Sequence, residues 1–234
     1  MFSQDFIEKL LYIDVETVPS YGSLEELERE NERLYKLWLK RDSYYRSAHD
    51  ELKNSTLEEV YNNKAGLEPE FSKIVCVSFG SFDTANGGEK RFVSFYGEDE
   101  KDILAKSAKV LSNASLKSWK LCGHNIKGFD IPCIGKRLIY NRIDLPSNIK
   151  IWDKKPWEMP FIDTSDIFAF GSWVQQKYLS LDLLSCSLGI SSPKENLDGS
   201  QVRDYYWNKK DYESIKEYCQ SDVDTVMKIM LALV

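Results

Sequence analysis

Short apolar runs alternate along this chain with longer stretches of helical spacing. Leu10-Leu11-Tyr12-Ile13 closes on Asp14-Val15-Glu16, the pattern of a buried strand over 10–15. Residues 22–64 change character and become rich in Glu, Lys and Arg. Within them Leu24, Leu27, Leu34 and Trp38 recur every three to four positions, which predicts an amphipathic helix interrupted at Asn31. That stripe is too short for a coiled coil and reads as a helical insertion packed over the domain. Ile74–Phe79 and Arg91–Tyr96 have strand composition, and Asn86-Gly87-Gly88 between them is hairpin turn chemistry. Helical periodicity covers 99–117, and a short strand, Trp119–Cys122, ends at Gly123.

Residues 129–141 read as a helix with Pro132 tolerated in its first turn. Met159–Thr164 holds a strand end, and Leu179-Ser180-Leu181 opens a helix that Gly189 closes. A helical stretch follows over Gln201–Trp207, then a last helix from about Tyr212 towards Val234. The order predicts an α/β fold: a mixed sheet flanked by helices, with the helical insertion after the first strand. A length of 234 residues suits one such domain over 1–234.

A net charge of −6 argues against a protein that coats nucleic acid by charge alone, and leaves room for an enzyme that grips a few nucleotides in one cleft. Lys117, Lys120, Lys127, Lys136, Arg137 and Arg142 form a locally basic stretch around Asp130. It reads first as a solvated face, with phosphate tracking open. Five cysteines without a Cys-x-x-Cys pair read as reduced, mostly buried thiols, and two histidines offer little to a structural zinc site. With no signal peptide and no membrane-length apolar run, the expectation is a soluble cytoplasmic protein that does not engage membranes.

Candidate chemistry lies in three separated places. Asp14 and Glu16 are two apart on a strand and project to one side, while Ile13 and Val15 face the other. Adjacent like charges are costly unless a cation neutralises them, and hard oxygen donors suit Mg²⁺ or Mn²⁺. Asp130 follows Gly123-His124-Asn125 at a strand-to-helix transition, where backbone groups approach a phosphate closely. Asn125 offers an amide to a terminal nucleotide, and Phe129 a ring to a base. Tyr218 and Asp222, four apart, share one helical face, while Asp224 lies about 200° around the helix from Asp222. Asp163, at a strand end, reads as structural.

Together, Asp14-Val15-Glu16-Thr17, Gly123-His124-Asn125 with Phe129-Asp130, and Glu217-Tyr218-Cys219-Gln220-Ser221-Asp222 resemble the three motifs of the DEDD 3′-5′ exonuclease superfamily, tyrosine branch. The pattern is most similar to predicted exonucleases related to the proofreading domain of family B DNA polymerases. Phe71–Cys76, Ser180–Leu184 and the stretch from Ser192-Pro193-Lys194 to Val202 extend the similarity; residues 22–64 fall outside it.

The resemblance implies a ribonuclease H-like fold and a metal-dependent 3′-5′ exonuclease that releases 5′-mononucleotides from single-stranded DNA 3′ ends. It implies two Mg²⁺ or Mn²⁺ ions held by Asp14, Glu16, Asp130 and Asp222, with Tyr218 orienting the attacking water. Thr17, Asn125, Phe129 and Lys194 are the expected substrate contacts. Two alternatives stay open: an RNA 3′-5′ exonuclease, and a catalytically silent nucleic-acid-binding module. The insertion, with Tyr44 and Tyr45 beside Arg46, is a candidate guide for the strand.

Overall fold

The computed structural model describes residues 2–84, 87–155, 158–171, 179–191 and 197–234. A one-turn helix, α1 (Gln4–Ile7), leads into β1 (Leu10–Pro19). Next come α2 (Leu24–Glu30), α3 (Glu32–Ala48) and α4 (Leu57–Lys64), then the hairpin of β2 (Ser72–Asp83) and β3 (Glu89–Tyr96). The chain continues through α5 (Glu100–Leu116), β4 (Lys120–Gly123), α6 (Asp130–Tyr140) and β5 (Phe161–Asp163). It closes with α7 (Thr164–Ala169), α8 (Leu181–Ser187), α9 (Val202–Asp204), a π-helical turn at Tyr205–Lys209, and α10 (Tyr212–Leu231). The predicted elements all fall within this list, and α1 and α7 are additions.

The five strands form one sheet of order β3-β2-β1-β4-β5. β1 pairs antiparallel with β2, placing Asp14 opposite Ser78, and parallel with β4, placing Leu11 opposite Leu121. β4 and β5 are also parallel, with Gly123 opposite Asp163. The sheet is mixed, as expected. Gly87 and Gly88 take positive φ in the hairpin turn, while Asn86 lies outside the described residues.

Both faces of β1 are covered, so its apolar residues split by parity. Leu11, Ile13 and Val15 pack with Ile103, Leu104 and Leu111 of α5 and Ile131 and Ile134 of α6. Leu10 and Tyr12 pack with Val223, Val226 and Met227 of α10. Asp14 and Glu16 continue the second set, and the strand therefore aims them at α10. That helix lies close: a Cβ on Gly80 would meet Met227 Sδ and Val223 Cγ1 at 2.7 Å.

The insertion carries its own small core. Trp38 packs edge-on against Tyr61 (5.2 Å between centroids) and Phe71 (5.1 Å), beside Leu24, Leu27 and Val60. Asn31, the predicted interruption, ends α2 and caps α3, its side chain accepting from the Leu34 amide at 3.0 Å. The proposed guide residues serve this core. Arg46 donates to Asp42 (2.7 Å) and to the carbonyls of Leu52 and Ser55, and the Tyr45 hydroxyl donates to Glu68. Of the three, Tyr44 alone is exposed.

Glu100, in the first turn of α5, ties the helices to the sheet. It accepts from the Ile74 amide (2.7 Å), from Arg137 Nε of α6 (2.8 Å) and from Asn141 Nδ2 (3.0 Å), while Arg137 also donates to the Pro69 carbonyl (3.0 Å). Both members of the ion pair are largely buried. Removing one partner leaves the other buried without its countercharge, so Arg137→Ala should destabilise the fold by about 3 kcal/mol. Urea denaturation measures this, and a loss below about 1 kcal/mol, the range of surface pairs, would show that the pair does not hold α6.

Candidate active site

The carboxyl ends of the parallel strands β1, β4 and β5 meet at one edge of the fold, the place where open α/β sheets bind ligands. Glu16 is followed by a register shift: Glu16 faces Cys76 and Thr17 faces Ile74, so Val75 is an extra residue on β2. Such bulges bend a strand and re-aim its side chains.

The loop after β4 is held by a neighbour. The Asp163 carboxylate accepts from the amides of Asn125 (2.8 Å), Lys127 (3.1 Å) and Ser165 (3.0 Å). This agrees with its reading as structural: it clamps the β4–α6 loop to the β5–α7 turn. The His124 ring bridges Thr164 Oγ1 (2.8 Å) and the Leu179 carbonyl (2.6 Å), a fixed position between two loops. Asn125 adopts left-handed φ of 57°, with its side chain against Gly128, where a Cβ would sit 2.4 Å from Asn125 Oδ1. Only glycine fits there. This tight loop delivers Phe129 to the start of α6 and Asp130 to its first turn.

The expected acids converge. Asp14 and Glu16 are half-buried on β1, while Asp130 of α6 and Asp222 of α10 are buried. Ligand atoms of Asp14, Glu16 and Cys219 lie within 4.8 Å of one another. Burial, then Asp130 and Asp222, push the Asp14 pKa well up. Burial, then Asp14 and Asp222, do the same to Glu16. Asp130 is pushed up to about 7, chiefly by burial, against the pull of the Asp130 and Val15 backbone hydrogen bonds. Among the described residues, Asp14 Oδ2 is buried with no hydrogen-bond partner. Asp224, by contrast, turns away and pairs with Lys90 (2.6 Å) and Lys228 (2.8 Å).

Tyr218 sits one turn before Asp222 and hydrogen-bonds its carboxylate. Burial, then the charges of Glu16, Asp222 and Asp14, hold the phenol strongly protonated. Beneath the acids, the Cys219 thiol donates to the Asp14 carbonyl at 3.4 Å and contacts Cys76. Nothing in the spacing of Cys76 and Cys219 marks these thiols as part of the site.

A cavity of about 450 Å³ opens beside Glu16, Thr17 and Phe129. Its far wall comes from the insertion, through Leu52, Asn62 and Lys64, and its floor includes Arg203. Sequence reasoning missed these residues because nothing in their local spacing marks them. Lys194 lies outside the described residues. Another cavity, of about 340 Å³, lies between α5 and the β2–β3 hairpin, lined by Phe79, Val93 and Trp119. Among the described residues no acid lines it, and it sits on the sheet face opposite α10.

A family model described as predicted 3′-5′ exonuclease related to the exonuclease domain of PolB matches residues 67–231. The match begins after β1 and the insertion, so the sheet register brings Asp14 and Glu16 to the matched segment. The structure is similar to the family B DNA polymerase from the hyperthermophilic archaeon Pyrobaculum calidifontis, with TM-score 0.53 and 15% identity over 96% of this chain. The similarity covers 24% of that polymerase chain. No curated protein sequence matches. The fold is thus the ribonuclease H-like α/β fold of a polymerase exonuclease, and the chain belongs to the family of predicted 3′-5′ exonucleases related to the exonuclease domain of PolB.

Proposed function

We propose that the chain is a divalent-metal-dependent 3′-5′ exonuclease that releases 5′-mononucleotides from single-stranded DNA. The observation that carries this reading is the gathering of Asp14, Glu16, Asp130 and Asp222, with Asp14 Oδ2 buried and, among the described residues, without a hydrogen-bond partner. An all-oxygen set of mutually repelling carboxylates fits Mg²⁺ or Mn²⁺. Asp14, Glu16 and Asp222 would hold one ion, and Asp14 and Asp130 a second. When bound, such ions acidify an attacking water and offset charge on a leaving oxygen.

The chain's own groups do the rest. Tyr218 stays protonated, which excludes it as a base and leaves it to orient a water by hydrogen bonding. Thr17 and Phe129 border the cavity and would hold the terminal nucleotide. Asn125 and Lys194 complete the proposed contacts. Membrane contact is not part of this reading: no helix among the described residues is long and apolar enough to cross a membrane. The direct assay offers 5′-labelled single-stranded DNA, duplex DNA and RNA with Mg²⁺ or Mn²⁺. A ladder that shortens from the 3′ end supports the proposal, and intact label on all three overturns it.

The metal-free protein should melt at a lower temperature as pH rises. Asp130 has a folded pKa of about 7 against an unfolded model value of 3.8, so the folded state binds the extra proton between those values. Stability from this group is complete below the unfolded value and lost as pH rises through the folded one; Asp14 and Glu16 shift in the same direction. Melting in EDTA from about pH 5 to pH 8 reads this, and Mg²⁺ or Mn²⁺ at the upper end should raise the melting temperature. A pH-independent transition that the ions leave unmoved would refute the buried cluster.

Asp14→Asn and Asp222→Asn should each abolish cleavage and leave the fold intact. Each removes one repelling charge, so the variants should melt at or above the wild-type temperature in EDTA at neutral pH. Near-normal cleavage by Asp14→Asn, or wild-type cleavage in EDTA, would sink the metal-dependent reading. Tyr218→Phe removes only the hydroxyl and should slow turnover by roughly 10²-fold, less than Asp14→Asn does, with KM little changed. An undiminished kcat would take the tyrosine out of the mechanism.

A further inference from the structure

The cavity of about 340 Å³ is a groove under the C-terminal half of α5. Its floor comes from three neighbouring strands, through Leu11 of β1, Phe79 of β2 and Val93 of β3. Leu11 and Phe79 are buried at its depth, while Arg91, Val93 and Lys117 are exposed at its mouth. The groove lies on the face that packs on α5, whereas Asp14 and Glu16 are aimed at α10. It is therefore separate from the acid cluster.

Two observations say what would fill it. The first is charge. The chain carries a net charge of −6, yet the mouth of this groove is cationic. Lys117 Nζ stands 4.8 Å from the centroid of the Trp119 ring, and Arg91, paired with Asp83 through Nη2, keeps 64% of its side chain in solvent. Among the described residues no acid lines the groove. An apolar floor below two cations fits an occupant that combines an apolar side chain with a carboxylate. The second observation is the strand edge beside it. β3 is the outer strand of the sheet, and among the described residues β2 is its one strand partner. The N–H and C=O groups on its far edge are open to a further strand, which only a polypeptide can supply.

We propose that this face docks an extended acidic segment of a partner protein, which adds to the edge of β3 and sets an aromatic or aliphatic side chain into the groove beside Val93. Arg91 and Val93 are two apart on β3 and share its α5 face. On an added strand, residues two apart likewise share that face. A carboxylate two positions from the apolar side chain then comes level with Arg91, with Lys117 on the opposite lip of the mouth. The recognised pattern is acid-x-apolar or apolar-x-acid, according to strand direction. This inference stands independently of the nuclease reading, because the occupant leaves the α10 face of the sheet open.

The probe is an end-capped, fluorescein-labelled peptide, Thr-Thr-Glu-Thr-Phe-Thr-Glu-Thr-Thr, whose symmetry serves either strand direction. Fluorescence anisotropy with the full chain should give a Kd of about 100 μM or tighter. Replacing the Phe by Ala, or both Glu by Lys, should weaken binding at least about tenfold. Arg91→Glu and Lys117→Glu, each checked for cooperative melting, should weaken the Glu peptide about tenfold and strengthen the Lys peptide. Hydrogen exchange at saturating peptide should slow at the backbone amides of β3. A Kd above about 1 mM for the Glu peptide, equal binding of the Glu and Lys peptides, or unaltered exchange in β3 overturns the inference. Free 3-phenylpropanoate displacing the peptide at equal concentration also overturns it, making the groove a small-molecule anion site instead.

Discussion

The rest of the structure is organised around a repulsion. Asp14 and Glu16 stand on the central strand with Asp130 and Asp222 closing on them from two helices, and the largest influences on the strand pair are burial and other acids. Elsewhere the fold gives its buried acids partners. Glu100 receives Arg137, and Asp163 receives three backbone amides. Asp224, two residues on from Asp222 and on the far side of α10, receives two lysines. Asp130 accepts backbone hydrogen bonds and Asp222 accepts from Tyr218, so the contrast is sharpest at Asp14 and Glu16, where burial and neighbouring acids dominate.

Holding such a cluster requires a scaffold that does not relax. β1 is covered on both faces, so neither Asp14 nor Glu16 can swing out without uncovering Ile13 or Val15. α10 lies against β2 at a distance that only Gly80 permits, which fixes Asp222 relative to the strand. α6 is fixed at one end by the Asp163 clamp on its entry loop and at the other by Arg137 on Glu100. The like charges are thus opposed by apolar burial and by hydrogen bonds placed just outside the cluster.

Much of this was legible in the sequence where one period dominated. Leu10–Ile13, the hairpin runs and the stripes of α5, α6 and α10 each bury a continuous face, so spacing alone predicts them. Motif order carried the expectation that Asp14, Glu16, Asp130 and Asp222 gather, although Asp130 alone starts an element while Asp14 and Glu16 stand within β1 and Asp222 within α10. What escaped depends on distant partners. α7 is six residues long, too short for a period, and starts at an Asp163 whose partners sit in another loop. Tyr45 and Arg46 have the composition of a nucleic-acid contact, yet their partners are Glu68, Asp42 and two carbonyls. Asn62 and Lys64 acquire meaning only when α4 returns to β1, a closure made by Thr17 and Gly66 across 49 positions.

The insertion and the acids are also energetically separable. Trp38, Tyr61 and Phe71 form a core that shares no member with the clusters packed on either face of β1. The two regions meet through directional contacts that include Thr17 to Gly66, the Ser20 amide to the Phe71 carbonyl at 2.8 Å, and Arg203 to Gly22. A segment with its own core can change its outer wall without disturbing the strand that carries Asp14 and Glu16, because substitutions without shared partners act nearly independently. The same contacts all fall just past the acids, where β1 ends. Variation in the insertion therefore reaches the site as a change in the shape of its entrance, while the positions of the carboxylates stay set by the sheet.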